Sequence, residues 1–161
     1  MKRGILFLCV ANSARSQMAE GIARALAPAG TPIWSAGSNP TTVRPEAITV
    51  MGEIGIDISE HLSKSVAEIP LQSVDTVVTL CAEEVCPVIA GDVRRLHWGL
   101  PDPAATEGSL ADRLAAFRQT REELHRRIGE FLASQEVSGG AQAKTAPLVD
   151  RSPDDDILKR P

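Results

Sequence analysis

An apolar run, Gly4-Ile5-Leu6-Phe7-Leu8-Cys9-Val10, passes through a short loop directly into Arg15-Ser16-Gln17-Met18 and an amphipathic stretch. Gly4 to Val10 is continuously apolar, as a buried strand is. Gln17 to Ala27 places Met18, Ile22, Ala25 and Leu26 on one helical face before Pro28 and Gly30 stop it. A buried strand feeding a helix is the first half of a crossover unit, and the chain goes on to supply the remaining halves. Ile33 to Ala36 reads as a second strand. Pro45 to Gly55 reads as a helix, with Pro45 at its first position and Ala47, Ile48, Met51 and Ile54 as its stripe. Asp75 to Leu80, with β-branched Val77 and Val78, reads as a third strand and Arg94 to His97 as a fourth. Leu110 to Ala133 reads as a last helix that buries Leu114, Phe117, Leu124, Ile128 and Phe131. This alternation predicts an α/β fold: a single-domain, doubly wound, parallel four-stranded sheet with helices on both faces, which binds ligands at the carboxyl ends of its strands. The 161 residues suffice for one such domain over 1–134. From Gln135 the pattern dissolves into Ser, Gly, Lys, Pro and the run Asp154-Asp155-Asp156, read as a polar, solvated tail over 135–161.

The junction after the first strand also carries chemistry. Between Cys9 and Arg15 lie Val10, Ala11, Asn12, Ser13 and Ala14. The small side chains at Ala11, Ser13 and Ala14 let successive backbone N–H groups turn inward toward a tetrahedral oxyanion. Arg15 adds a planar fork that clamps two of the anion's oxygens. The same dipoles, the helix N-terminus and the Ser16 hydroxyl favour the charged form of sulfur, so Cys9 is expected to be a thiolate nucleophile. A buried cysteine beside a surface arginine would explain either residue alone. The order strand, thiol, loop, Arg-Ser and helix is what singles out the nucleophilic reading. Asn12 is expected to hold the loop's shape by hydrogen bonds, with Ser35 and Glu20 as candidate partners; Glu20 is otherwise an ordinary helix-surface residue.

Cys81 and Cys86 follow the third strand, and Cys81 falls at the same sheet edge as Cys9. Three roles are open to the pair. They can be metal ligands with His97, although a fourth ligand is missing. They can be passive core thiols, although Glu83 and Glu84 lie between them. They can be a relay: reducing an oxyanion takes two electrons, which two thiols supply by forming a disulfide, and a third thiol moves that disulfide to the surface. Asp102, stiffened between Pro101 and Pro103, is placed to protonate an oxygen leaving the cradle; the competing role is a turn or helix cap. His97 and Trp98 are scaffold for that segment.

Composition narrows the partners. The net charge is −4 with basic residues scattered, so nothing favours nucleic acid or an acidic membrane surface. No apolar stretch is long enough to span a bilayer, and the N-terminal run is too short for a signal peptide, so a cytoplasmic location is expected. An odd number of cysteines, three, argues for reduced, reactive thiols over a disulfide scaffold.

Cys9 to Gly21, Ser35-Ala36-Gly37, Val77 to Cys81 and His97 to Ala104 together closely resemble the thioredoxin-coupled arsenate reductases, which share the low-molecular-weight protein tyrosine phosphatase fold. The likeness runs from about Lys2 to Ala133. It implies that Cys9 attacks arsenate, that Arg15 and Ser16 support cradle and thiolate, and that Asp102 is the general acid. It further implies that Cys81 attacks the Cys9 adduct to release arsenite and leave a Cys9–Cys81 disulfide. Cys86 then gives a Cys81–Cys86 disulfide, which thioredoxin reduces. Phosphate and sulfate would compete for the cradle, glutaredoxin is a weaker candidate donor than thioredoxin, and no cofactor is tightly bound. A monomer is expected. Two positions depart from the family pattern. The Cys81 to Cys86 spacing is shorter than in the best-known members, which leaves open which of the two meets thioredoxin. Where some members use an acidic residue beside a potassium ion, this chain has Lys64, whose ammonium takes the ion's electrostatic place, so no metal is expected. The alternatives are a tyrosine phosphatase using Cys9, Arg15 and Asp102, and a non-catalytic oxyanion sensor. Against the first, Pro103-Ala104-Ala105 is small where such phosphatases carry aromatics, and the chain has no tyrosine. Against the second stand the nucleophile and the acid together.

Overall fold

A computed structural model describes residues 4–82 and 88–142, with side chains to 136. β1 (Gly4–Cys9), α1 (Arg15–Leu26), β2 (Ile33–Gly37) and α2 (Pro45–Gly52) are followed by two single-turn 3-10 helices, Val66–Glu68 and Leu71–Ser73. Then come β3 (Val74–Cys81), β4 (Arg94–Leu100), a 3-10 turn at Pro103–Ala105 and α3 (Leu110–Gln142). The four strands are all parallel in the order β2-β1-β3-β4. The chain therefore winds outward from β1 in both directions, and the point where winding reverses lies between β1 and β3. Leu8 pairs with Thr79, so Cys9 and Cys81 leave adjacent strands within one residue of register, on strands about 4.8 Å apart.

The two layers are unequal. Ile5, Phe7, Val78 and Leu80 point to one face and pack with Met18 and Ile22 of α1, Val50 and Met51 of α2, and Phe117, Leu124 and Ile128 of α3. Leu6, Leu8, Ala36 and Val77 point to the other, which is closed by Ile69, Ile89, Val66 and Val93. Helical cover on both faces is thus met with three α-helices on one side and 3-10 turns with irregular chain on the other. The handedness of the connections explains this. The β2-to-β3 and β3-to-β4 crossovers run opposite in direction to β1-to-β2, so right-handed connection brings the segments that lead into β3 and β4, with Val66, Ile69, Ile89 and Val93, over the second face, while α2, earlier in the β2-to-β3 connection, stays against the first.

Three boundaries differ from the sequence reading by three residues or more. α2 stops at Gly52, and Gly55 takes a left-handed turn just beyond it (φ 77°). β4 continues past His97 to Leu100, its outer residues mostly exposed because it is an edge strand. α3 continues past Ala133 to Gln142 although Phe131 is its last buried side chain among the described residues. The extension has no proline and contains Gln135, Glu136 and Ala141, so propensity sustains it where the buried stripe has ended; Gly139 and Gly140 each cost only about 1 kcal/mol. Trp98 packs between Phe7, tilted at 46°, and Phe131, edge-on at 73°, at ring-centroid distances of 6.4 and 6.2 Å, and His97 Nδ1 bonds Thr79 Oγ1 at 2.7 Å. Both serve as scaffold, as expected.

Candidate active site

The loop from Val10 to Ala14 is shaped by where its carbonyls go. Val10 O accepts from Asn39 N (2.9 Å), Ala11 O from Thr41 N and Ser63 Oγ (both 3.0 Å), and Ser13 O from Arg44 N (2.9 Å). Asn12 O accepts from Gln17 Nε2 (3.2 Å) and Ala14 O from Met18 N (2.9 Å). Every loop carbonyl is therefore bonded to the surrounding protein. In a trans peptide the N–H points opposite to the carbonyl, so the amides of residues 11 to 15 face the concave side, where Asn12 N lies 3.2 Å from Cys9 Sγ. Asn12 is left-handed (φ 47°), the one non-glycine residue so placed among those described. Five convergent amides at the N-terminus of α1 make a nest for a tetrahedral anion.

Gly37 lets β2 come close enough to hold this loop. A Cβ there would lie 2.3 Å from Val10 O and 3.0 Å from Asn12 N, both backbone atoms. Gly37→Ala is expected to cost about 1–3 kcal/mol, as overpacking does, and to weaken phosphate binding. Urea unfolding and a phosphate titration read the two effects.

Cys9 is buried, and its Sγ lies 2.8 Å from Ser16 Oγ. Arg15 is buried too. Its Nη1 donates to Leu100 O (2.9 Å) and at 3.5 Å to Leu80 O, tying the ends of β4 and β3 to the cradle. Its Nη2 lies 4.0 Å from Asp102 Oδ2, and that carboxylate side chain is 40% exposed. Asp102 also caps the turn that follows, accepting from Ala104 N at 3.0 Å. The cap role is present, and it fixes the carboxyl beside Arg15, a position compatible with the acid role. Asp102→Asn keeps the cap acceptor and loses the acid. It is expected to preserve phosphate binding while slowing Cys9 adduct formation by about 10²–10⁴, read by rapid-quench kinetics; an unchanged rate would leave Asp102 as a cap alone.

Support of the loop differs from the sequence reading in its partners. Asn12 is held by Ser16, Gln17 and Lys64 rather than by Ser35 and Glu20. Its Nδ2 donates to Ser16 Oγ (2.8 Å), and its Oδ1 accepts from Gln17 Nε2 and Lys64 N (each 2.8 Å). Glu20 is no surface residue. It is buried, and its Oε1 accepts from Ser35 N (2.9 Å) and Ser35 Oγ (3.2 Å). Its charge is offset by Lys64 Nζ at 3.5 Å and Arg24 Nε at 3.7 Å, and its Oε2 lies 3.1 Å from His61 Nδ1. Burial pushes the His61 imidazole below its ordinary value, against the opposing pull of Glu20. Gln17, His61 and Ser63 did not stand out in the sequence: Gln17 reads as an ordinary first-turn helix residue, and the other two reach the loop from more than forty residues away.

Cys81 is buried at the end of β3 and is disulfide-bonded, whereas Cys9 is a free thiol. Cys86 lies outside the described residues. The metal reading of Cys81 with His97 loses support, since the Cys81 sulfur is engaged in the disulfide and His97 Nδ1 is bonded to Thr79. Among the described residues no cluster of three His, Cys, Asp or Glu side chains could hold a metal ion, and no helix is long and apolar enough to cross a membrane.

The geometry agrees with what the chain is similar to. Residues 4–142 match the model of the low molecular weight phosphotyrosine protein phosphatase family. The arsenate reductase of Halalkalibacterium halodurans is 45% identical over 132 residues, 81% of this chain and 95% of that one. A solved arsenate reductase in the phosphate binding state superposes with a TM-score of 0.70 at 31% identity, covering 82% of this chain and 98% of the other. A thioredoxin-dependent arsenate reductase from Corynebacterium glutamicum superposes with a TM-score of 0.66 at 28% identity, covering 84% of this chain and 62% of its own.

Proposed function

Because the chain belongs to the low molecular weight phosphotyrosine protein phosphatase family, and within it groups with the arsenate reductases, we propose that it reduces arsenate to arsenite through a thiol relay fed by thioredoxin. The observation that carries this reading is the second thiol. Cys81 ends the strand beside that of Cys9, at the point where sheet winding reverses, and hydrolysis of a phosphate ester has no use for it.

The cradle amides and the Arg15 fork bind the oxyanion and stabilise the charge that develops on its oxygens. The Cys9 thiolate attacks arsenic, and one oxygen leaves as water with the proton of Asp102, giving a Cys9–S–As(V) adduct. Cys81, as thiolate, attacks the Cys9 sulfur. The S–As bond breaks with its electron pair going to arsenic, so arsenic becomes As(III), arsenite leaves, and a Cys9–Cys81 disulfide remains. Cys86 attacks Cys81 and frees the Cys9 thiolate, and the dithiol of thioredoxin reduces the resulting Cys81–Cys86 bond. A disulfide at Cys81 beside a free Cys9 fits the stage at which only the external reductant is still needed. No tightly bound cofactor enters the scheme, and a relay that must be re-reduced each turnover suits the cytoplasm.

Arsenate-dependent NADPH consumption with thioredoxin and thioredoxin reductase tests the proposal. Turnover is expected with thioredoxin and little with glutaredoxin. Hydrolysis of an aryl phosphate without any arsenate-dependent NADPH consumption would leave the protein a phosphatase.

A further inference from the structure

We propose that Gln17 is a positioning residue, which fixes the direction of the hydrogen-bond chain that ends on the Cys9 sulfur. The inference rests on Cys9 being the nucleophile and on nothing else in the reduction scheme. Gln17 is fully buried at the start of α1, and its side-chain bonds go to Asn12, Leu62 and His61 rather than to the sulfur. Its side chain lies at the centre of the loop's support: Nε2 reaches Asn12 Oδ1 (2.8 Å), Leu62 O (2.9 Å) and Asn12 O (3.2 Å), and Oε1 lies 3.1 Å from His61 Nδ1.

The orientation of every group in the chain follows from partners with a single role. Leu62 O and Asn12 O are carbonyls and only accept, so the Gln17 amide nitrogen faces them and its oxygen faces His61. His61 Nδ1 therefore carries its proton, shared between Gln17 Oε1 and Glu20 Oε2. Lys64 N–H only donates, so the atom of Asn12 that meets it is Oδ1, the atom that also accepts from Gln17. Asn12 Nδ2 is thereby turned to Ser16 Oγ as a donor. Ser16 accepts there, and its single hydroxyl proton is left for Cys9 Sγ at 2.8 Å. A donated O–H stabilises a thiolate; a hydroxyl turned the other way would stabilise the thiol.

Gln17 acts on this chain at two points. It shares with Lys64 the task of holding the Asn12 amide, and it anchors the Asn12 carbonyl outward, which keeps the next amide facing the anion. The charged groups around the chain are Arg15, with Asp102 behind it, on the cradle side, and Glu20, His61, Lys64 and Arg24 on the far side. Gln17→Met leaves these charged groups in place and takes one acceptor from His61, whereas Gln17→Glu sets a further carboxyl beside His61 and Glu20, so Gln17→Met with its Ser16→Ala pairing is the primary test.

The test is the pH dependence of Cys9 alkylation by iodoacetamide in a Cys81→Ser/Cys86→Ser background, which needs no arsenate turnover. Gln17→Met keeps the length and removes both the donors and the acceptor. Gln17→Glu keeps the shape and puts an acceptor against three acceptors. Each is expected to raise the alkylation midpoint by about one pH unit, a tenfold loss of thiolate at pH values below the midpoint. Adding Ser16→Ala distinguishes positioning from general loosening. If Gln17 works through the Ser16 hydroxyl, Gln17→Met causes little further shift in a Ser16→Ala protein, whereas independent effects would add. Unchanged midpoints in both Gln17 variants, or full additivity with Ser16→Ala, would overturn the proposal. Should Gln17→Met fail to fold, the isosteric Gln17→Glu and its pairing with Ser16→Ala carry the same test. Failure of arsenate reduction with a shifted alkylation midpoint would count against the proposed activity and not against this inference.

Discussion

Cys9→Ser is expected to reduce arsenate turnover to background, a loss on the order of a million-fold if it follows other enzymes stripped of their nucleophile. The hydroxyl is a far weaker nucleophile than the thiolate, and it cannot form the disulfide that delivers the electrons. Aryl phosphate hydrolysis is expected to vanish with it, because both reactions begin with the same sulfur in the same nest. Arg15→Ala is expected to follow Cys9→Ser in both assays. It removes the fork that binds the anion and also the link from Leu100 O and Leu80 O to the cradle. Parallel steady-state assays with arsenate and a small aryl phosphate make the measurement. Substantial activity of the Cys9→Ser protein toward either substrate would remove Cys9 from the centre of the mechanism.

The second large effect separates the two chemistries. In the proposed scheme adduct formation draws on Cys9, Arg15 and Asp102 alone, but expelling arsenic in its reduced state takes a second thiol that attacks the Cys9 sulfur. Cys81→Ser and Cys86→Ser are therefore expected to lose multiple-turnover arsenate reduction with thioredoxin while retaining slow aryl phosphate hydrolysis. The retained hydrolysis also shows that the cradle is intact, so the loss cannot be assigned to misfolding. If both single variants reduced arsenate at the rate of the unaltered protein, an external thiol would have to attack the Cys9 adduct directly.

The parts of this site that were legible in the sequence are those written in consecutive residues. The βα junction is set by the apolar run ending at Cys9 and the helical stripe starting at Met18, so nucleophile, nest and arginine are readable without knowing where the rest of the chain goes. That Cys9 and Cys81 share one sheet edge follows from the rule that parallel strands present their carboxyl ends together, whereas the adjacency of their strands comes from the strand order. The support beneath the nest is different in kind. Asn12 is held by a backbone amide at Lys64 and Gln17 is met by His61, contacts across 52 and 44 residues, and no local periodicity encodes them. Glu20 shows the same limit. A glutamate in a helix ordinarily faces water, and only the fold brings Ser35, His61 and Lys64 around it. β4 reads short in the sequence because its exposed edge interleaves Arg94, Arg95 and His97 with its apolar residues. The end of α3 is not legible in the sequence because a buried stripe and helix propensity run out at different places.

The relay itself is most directly tested by mapping disulfides after arsenate is added under limiting reductant, with free thiols alkylated and the digested protein read by mass spectrometry. The unaltered protein is expected to yield Cys81 joined to Cys86 with Cys9 alkylated, and the Cys86→Ser variant to trap Cys9 joined to Cys81, each in proportion to the arsenite formed. Arsenite appearing while Cys9, Cys81 and Cys86 all remained alkylated thiols would contradict the account.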